Sequence, residues 1–148
     1  EVAAYYKKQN KTLFDALQMI FDQYGYYAEK TISVTMSGQE GSAKIGSLMK
    51  AFREKQPTDF ACVAVVETED FKELTKIKSD GTMEVLTTPP SDVLKYVLAD
   101  GSWIAVRPSG TEPKIKFYIG VKGDSQEEAD AKIVALEAAI NEITVAAE

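Results

Sequence analysis

The sequence predicts an α+β fold: an antiparallel sheet flanked by helices and preceded by a helical segment. Three observations carry this. Apolar residues recur at helical spacing from Leu13 to Tyr24, the middle of the chain breaks into short strand-like runs around Asp80-Gly81 and Asp100-Gly101, and helical spacing returns from Ala129 to Ile143. Helices, then a run of strands, then a helix is the order of an α+β domain rather than of alternating parallel units. With 148 residues, of which 45% are apolar, the chain has material for one core of ordinary size, or for one domain and a piece of another.

Each element follows from local chemistry. Val2 to Lys8 reads as the end of a helix, broken at "QNKT". Thr12 opens the next, with Asp15 three residues on as in a capping box, and Gly25 closes it; Leu13, Phe14, Leu17, Ile20, Phe21 and Tyr24 form its apolar face. "YYAEKTISVTMSGQEGS" is extended and rich in hydroxyls, and reads as a linker with a hinge at "SGQEG". Ser42 is placed to cap a helix from Ala43 to Lys55, buried through Ile45, Leu48, Met49 and Phe52 and stopped before Pro57. "FACVAVVE" reads as a central strand, with Cys62 as a buried thiol inside it. Two hairpins follow at the DG turns. "KIKFYIGV" alternates, Ile115, Phe117 and Ile119 on one face and Lys114, Lys116 and Tyr118 on the other. Ser125 with Glu128 caps the last helix, whose seam is Ala129, Ile133, Leu136, Ile140 and Ile143.

Composition removes several classes of function. A net charge of -6 and a pI near 4.8 argue against a nucleic-acid partner. The absence of histidine removes the common general base and the triads built on it. No apolar run reaches the length that spans a bilayer, the N-terminal residues do not resemble a signal peptide, and a single cysteine suits a reducing compartment, so the expected location is cytoplasmic and away from membranes. Acidic runs such as "TEDFKE" and "SQEEAD" read as solvated faces, and no metal site is expected in this chain.

One stretch runs against the acidic balance. "VRPSGTEPKIKFYIGV" places Arg107 at a strand end, then a stiff loop from Pro108 to Pro113, then a strand with Lys114 and Lys116. Ser109 and Thr111 supply hydroxyls, and Gly110 lets backbone N–H groups turn inward. Such a concavity suits an oxyanion, with Arg107 offering a bidentate fork and the lysines point charges. The same residues also read as a hairpin connection with surface charges.

"RPSGTEPKIKFYI" resembles the phosphate-binding loop of the α-D-phosphohexomutases, the phosphoglucomutases and phosphomannomutases. "YYKKQNKTLFDALQMIFDQYGYYAEK" is similar to the end of that family's third domain, and "SGQEGSAKIGSLMKAFRE" to the hinge and first helix of its fourth. The resemblance divides the chain into residues 1–36, the helical end of the third domain with a linker, and residues 37–148, the C-terminal phosphate-binding domain, with a fold similar to that of the TATA-binding protein. It implies that Arg107, Ser109, Gly110, Thr111 and Lys116 hold the phosphate that is not being transferred, Lys116 standing where some members have arginine. Whether Lys114 also contacts phosphate stays open.

The family moves phosphate between the 1- and 6-positions of a hexose through a phosphoserine, magnesium and a bisphosphorylated intermediate. Its serine loop, metal loop and sugar loop are not in this sequence, so the resemblance implies no catalytic residue here and a magnesium site outside this chain. The implied partners are a hexose phosphate and the other domains of the same polypeptide, with self-association through the N-terminal helix as a further expectation. The alternative is a free-standing module that captures a phosphorylated or acidic partner.

Overall fold

The computed structural model describes residues 1–36 and 40–145. Helices α1 (Val2–Lys7) and α2 (Leu13–Tyr24) precede strand β1 (Tyr26–Thr35) and helix α3 (Gly41–Glu54). Strands β2 (Asp59–Phe60), β3 (Val63–Asp70), β4 (Thr75–Lys78), β5 (Met83–Val85), β6 (Leu94–Leu98), β7 (Trp103–Pro108) and β8 (Lys114–Gly123) follow, and α4 (Gln126–Val145) ends the chain. The main sheet runs β1-β8-β7-β6-β3-β4-β5, antiparallel throughout, with β2 attached to β3. The α+β expectation therefore holds.

Alternation along the strands divides the sheet into two unlike faces. Leu94, Tyr96, Leu98, Ile104, Val106, Ile115, Phe117, Ile119 and Val121 form the buried side, against Ile45, Leu48, Met49 and Phe52 of α3 and Ala129, Ile133, Leu136 and Ile140 of α4. Phe52, Phe60, Tyr96 and Phe117 make a continuous aromatic cluster, with centroid separations of 5.4 to 6.2 Å. Arg53 fixes the end of α3 to the sheet: its Nε donates to Asp70 at 2.9 Å and its terminal nitrogen to Asp92 at 2.5 Å. Burial works against the Arg53 charge, yet its two carboxylate partners raise its pKa above the ordinary value.

Four local expectations are corrected. Residues 26–35, expected to be linker, are an edge strand paired with β8 from Tyr26↔Gly123 to Thr35↔Lys114; Ala28, Ile32 and Val34 pack against the core and supply the alternation that a hydroxyl-rich reading obscured. "FACVAVVE" is two strands and a turn, because Ala61 and Cys62 both have positive φ, 50° and 63°. That turn leaves Cys62 exposed instead of buried, while β3 does lie inside the sheet, between β6 and β4. Helix α3 begins at Gly41, and its N-cap Glu40 makes no side-chain cap bond, so Ser42 lies within the first turn rather than capping it. The expected hinge falls largely on residues 37–39, outside the described residues.

The other termini behave as read. Thr12 and Asp15 form a reciprocal capping box. Ser125 Oγ accepts from the Glu128 N–H at 3.2 Å, and the Glu128 carboxylate accepts from the Asp124 N–H at 2.8 Å. Helix α2 buries only Ala16, leaving Leu13, Phe14, Leu17 and Ile20 exposed.

Candidate phosphate site

The candidate residues gather at one end of the central β7–β8 hairpin. Arg107 stands directly opposite Lys116, and Lys116 opposite Ser33 of β1, so all three share the face of the sheet away from the helices. Pro108↔Ile115 is the last pair of the ladder, and the Ser109 N–H closes the loop on the Lys114 carbonyl at 2.8 Å.

On this face the lysines of β4 and β6 are paired with acids. Lys76 pairs with Glu67 at 2.8 Å and Glu69 at 3.6 Å, Lys95 with Glu69 at 3.2 Å, and Lys78 with Glu84 at 2.6 Å. The hydrogen bonds from Lys76 to Glu67 and from Lys78 to Glu84 raise both ammonium groups above their usual pKa. Arg107 and Lys116, by contrast, have no ion-pair or side-chain hydrogen-bond partner among the described residues. Two cations directly opposite each other on neighbouring strands repel. The pair is unfavourable, and a negative charge placed beside it would offset the repulsion.

Ser109 has a shaping role that spacing alone does not disclose. Its Oγ accepts from the Thr111 N–H at 3.4 Å and the Glu112 N–H at 3.3 Å, a local side-chain turn. The Thr111 and Glu112 amides are thus turned toward Ser109, while the Ser109 hydroxyl keeps its own hydrogen to donate. Thr111 is exposed at the tip. Lys114 bonds the Glu112 carboxylate at 3.0 Å, which sets it apart from Arg107 and Lys116. Gly110 lacks a left-handed φ, and a Cβ added there would meet nothing within 4 Å. Neither its backbone nor its packing in this chain demands glycine.

Behind the loop lie residues that sequence reasoning did not connect to it. The Met36 N–H donates to the Pro113 carbonyl at 2.9 Å, and Gly41 packs against Met36 and Pro113. The only signal for them was the strand character of residues 26–35, which is what carries the chain alongside the loop.

The family model described as "Phosphoglucomutase/phosphomannomutase, C-terminal domain" matches residues 62–138, just over half of the chain and the whole of the loop. The phosphoglucomutase of Staphylococcus haemolyticus is 38% identical over 128 residues, covering 86% of this chain and 23% of that protein. That of Staphylococcus aureus is 37% identical over 132 residues, 88% of this chain and 24% of its own. The chain thus spans about a quarter of the length of these relatives. Among solved structures, the open form of parafusin from Paramecium, a phosphoglucomutase by its description, superposes with a TM-score of 0.55 over 96% of this chain and 24% of that one. At 18% identity this likeness bears on the fold alone. Antiparallel topology, hairpin loop and matched residues lead to one assignment: the chain belongs to the phosphoglucomutase/phosphomannomutase C-terminal domain family.

Proposed function

We propose that this chain is the substrate-phosphate grip of a larger cytoplasmic enzyme of the phosphoglucomutase/phosphomannomutase type, which moves phosphate between the 1- and 6-positions of a hexose phosphate through a phosphoserine and a bisphosphorylated intermediate. The observation that carries the reading is the unpartnered Arg107–Lys116 pair beside a hydroxyl-bearing glycine loop. In the bound state the Arg107 guanidinium gives parallel bonds to two phosphate oxygens, Lys116 a point charge, and Ser109 and Thr111 hydroxyl donors. Gly110 lets the phosphate approach the backbone.

The work of the chain is positioning. Holding the phosphate that does not react fixes the sugar and places its other end at the reacting group, converting binding energy into orientation. A loop that reads phosphate alone accepts the sugar in either direction, as a bisphosphate that must turn over requires. Such a loop does not choose among glucose, mannose and pentose phosphates, so the choice of sugar is assigned to segments outside this chain. Magnesium is assigned to those segments too, and no step of this chain's work is routed through it. The exposed apolar residues of α2 are assigned to contact with the remaining domains of the same polypeptide. Among the described residues no helix is long and apolar enough to cross a membrane.

Titrating the chain with glucose 6-phosphate, followed by amide NMR, should move the amides from Arg107 to Lys116, with weak, millimolar-range affinity. The chain alone should not interconvert glucose 1-phosphate and glucose 6-phosphate with magnesium present. Shifts centred elsewhere would sink the reading, and turnover by the chain alone would place the catalytic groups within it.

A further inference from the structure

We propose that Gly41, acting through Met36, is a positioning residue for the phosphate loop: the close approach of the first turn of α3 to the Met36 carbonyl and Pro113 sets where the loop leaves β8. The inference rests on the phosphate-grip reading and adds residues to which the loop motif gives no clue.

The contact is tight because both of its sides are held. Helix α3 cannot retreat, since Ile45, Leu48, Met49 and Phe52 anchor it in the core. Met36 is held by its side chain, 3% exposed, and by its N–H bond to the Pro113 carbonyl at 2.9 Å. A Cβ on Gly41 would fall inside the contact distance of the Met36 carbonyl oxygen and would lie 3.1 Å from Pro113 Cβ. Gly41 needs no left-handed φ, so the glycine serves this approach and not a turn. With the helix fixed, any side chain there displaces the Met36 carbonyl, and the displacement passes through the Met36 Cα to its N–H and along that hydrogen bond to Pro113. From Pro113 it reaches Lys114, whose carbonyl receives the Ser109 N–H at 2.8 Å, and so the base of the whole loop. Gly46 in the same helix is a built-in control: it is exposed, and a Cβ there meets nothing within 4 Å.

The experiment compares the unsubstituted chain with Gly41→Ala and Gly46→Ala by amide NMR titration with inorganic phosphate, alongside melting curves. Gly41→Ala should move the amides of Met36 and of Ser109 to Lys116 before any phosphate is added, and weaken phosphate binding roughly 3- to 10-fold. Gly46→Ala should raise the melting temperature, as replacing an exposed helical glycine does, and leave affinity unchanged. Equal affinity with unmoved loop amides in Gly41→Ala overturns the inference while leaving the grip intact. If the unsubstituted loop shows no response to phosphate, the grip itself fails and this inference with it. Should Gly41→Ala not fold, hydrogen exchange in the unsubstituted chain decides. Saturating phosphate should slow exchange of the Met36 amide, because coupling between loop and anchor is reciprocal. A Met36 amide indifferent to phosphate, beside loop amides that respond, refutes it.

Discussion

Removing Arg107 should weaken the ligand site and spare or improve the fold, an opposition that separates a binding residue from a structural one. Arg107 is exposed and faces Lys116 across the β7–β8 ladder, with no acid paired to either charge among the described residues. Two unit charges ~7 Å apart in water repel by about 0.6 kcal/mol, less with salt. Arg107→Ala relieves that repulsion and breaks no ion pair, so stability should change by no more than about 0.5 kcal/mol, in the favourable direction. For the ligand, a hydrogen bond to a charged group contributes roughly 1.5 to 3 kcal/mol when enclosed. In an open hairpin, solvent screens much of this, leaving about 1 to 2 kcal/mol, or roughly 5- to 30-fold in affinity. The assay is an amide NMR titration with glucose 6-phosphate on both proteins, beside chemical denaturation of each. On the proposed reading, other domains of a full-length enzyme would enclose the site, and kcat/KM there should fall by more, about 2 to 5 kcal/mol in transition-state terms. The reasoning is refuted if Arg107→Ala binds the sugar phosphate as well as the parent, or if it loses more than about 1 kcal/mol of stability.

Other perturbations test the architecture. Deleting residues 1–24 should leave a cooperatively folding domain, since α1 buries nothing, α2 buries only Ala16, and the chief interaction removed is the Phe21–Tyr26 ring stack at 5.2 Å; a broadened unfolding transition would show α2 to be part of the core. Deleting residues 1–36 removes β1 and bares β8 along its full pairing, so cooperative unfolding should disappear in the same measurement. Gly120→Ala would force a methyl into the Trp103 indole that lies across it, costing about 1 to 3 kcal/mol and changing the emission of the single tryptophan; an unaltered spectrum and melting point would contradict the packing.

The large features were legible because local chemistry and tertiary context agree there. The Thr12–Asp15 box, the two DG hairpins, the alternation of β8 and the seam of α4 each satisfy a short-range rule that packing then reinforces. Errors fall where a long-range partner decides. Residues 26–35 are polar and hydroxyl-rich, and only pairing with β8, far along the chain, makes them a strand. Ala61 and Cys62 adopt left-handed φ, which local preference assigns to glycine or asparagine, so an apolar run reads as continuous across a turn. At the loop, residue types and order could be read directly, but two properties could not. The missing acid beside Arg107 and Lys116 emerges only when the face of the sheet is assembled, and the Ser109 turn only when the loop has its shape.

On the proposed reading, that missing acid keeps one end of an acidic chain ready for an anion. Along the open face, carboxylates from β3 and β5 neutralise the lysines of β4 and β6. The strand that could do the same for Lys116 is β1, and the residue it places opposite Lys116 is Ser33, small and uncharged. If the lack of an acid here serves binding, supplying one should trade function for stability. Ser33→Glu puts a carboxylate beside Lys116, an opposite-charge cross-strand pair that contributes roughly 0.2 to 1 kcal/mol to the fold. The same carboxylate repels an incoming phosphate and occupies one of its cations, so affinity for glucose 6-phosphate should fall several-fold, about 1 kcal/mol, with the loss shrinking as salt is raised. Ser33→Gln, equal in length without the charge, should do neither. Denaturation and phosphate titration of the three proteins give the answer: a Ser33→Glu chain that binds the sugar phosphate undiminished would mean that the ligand does not lie over Lys116, whatever the loop beside it holds.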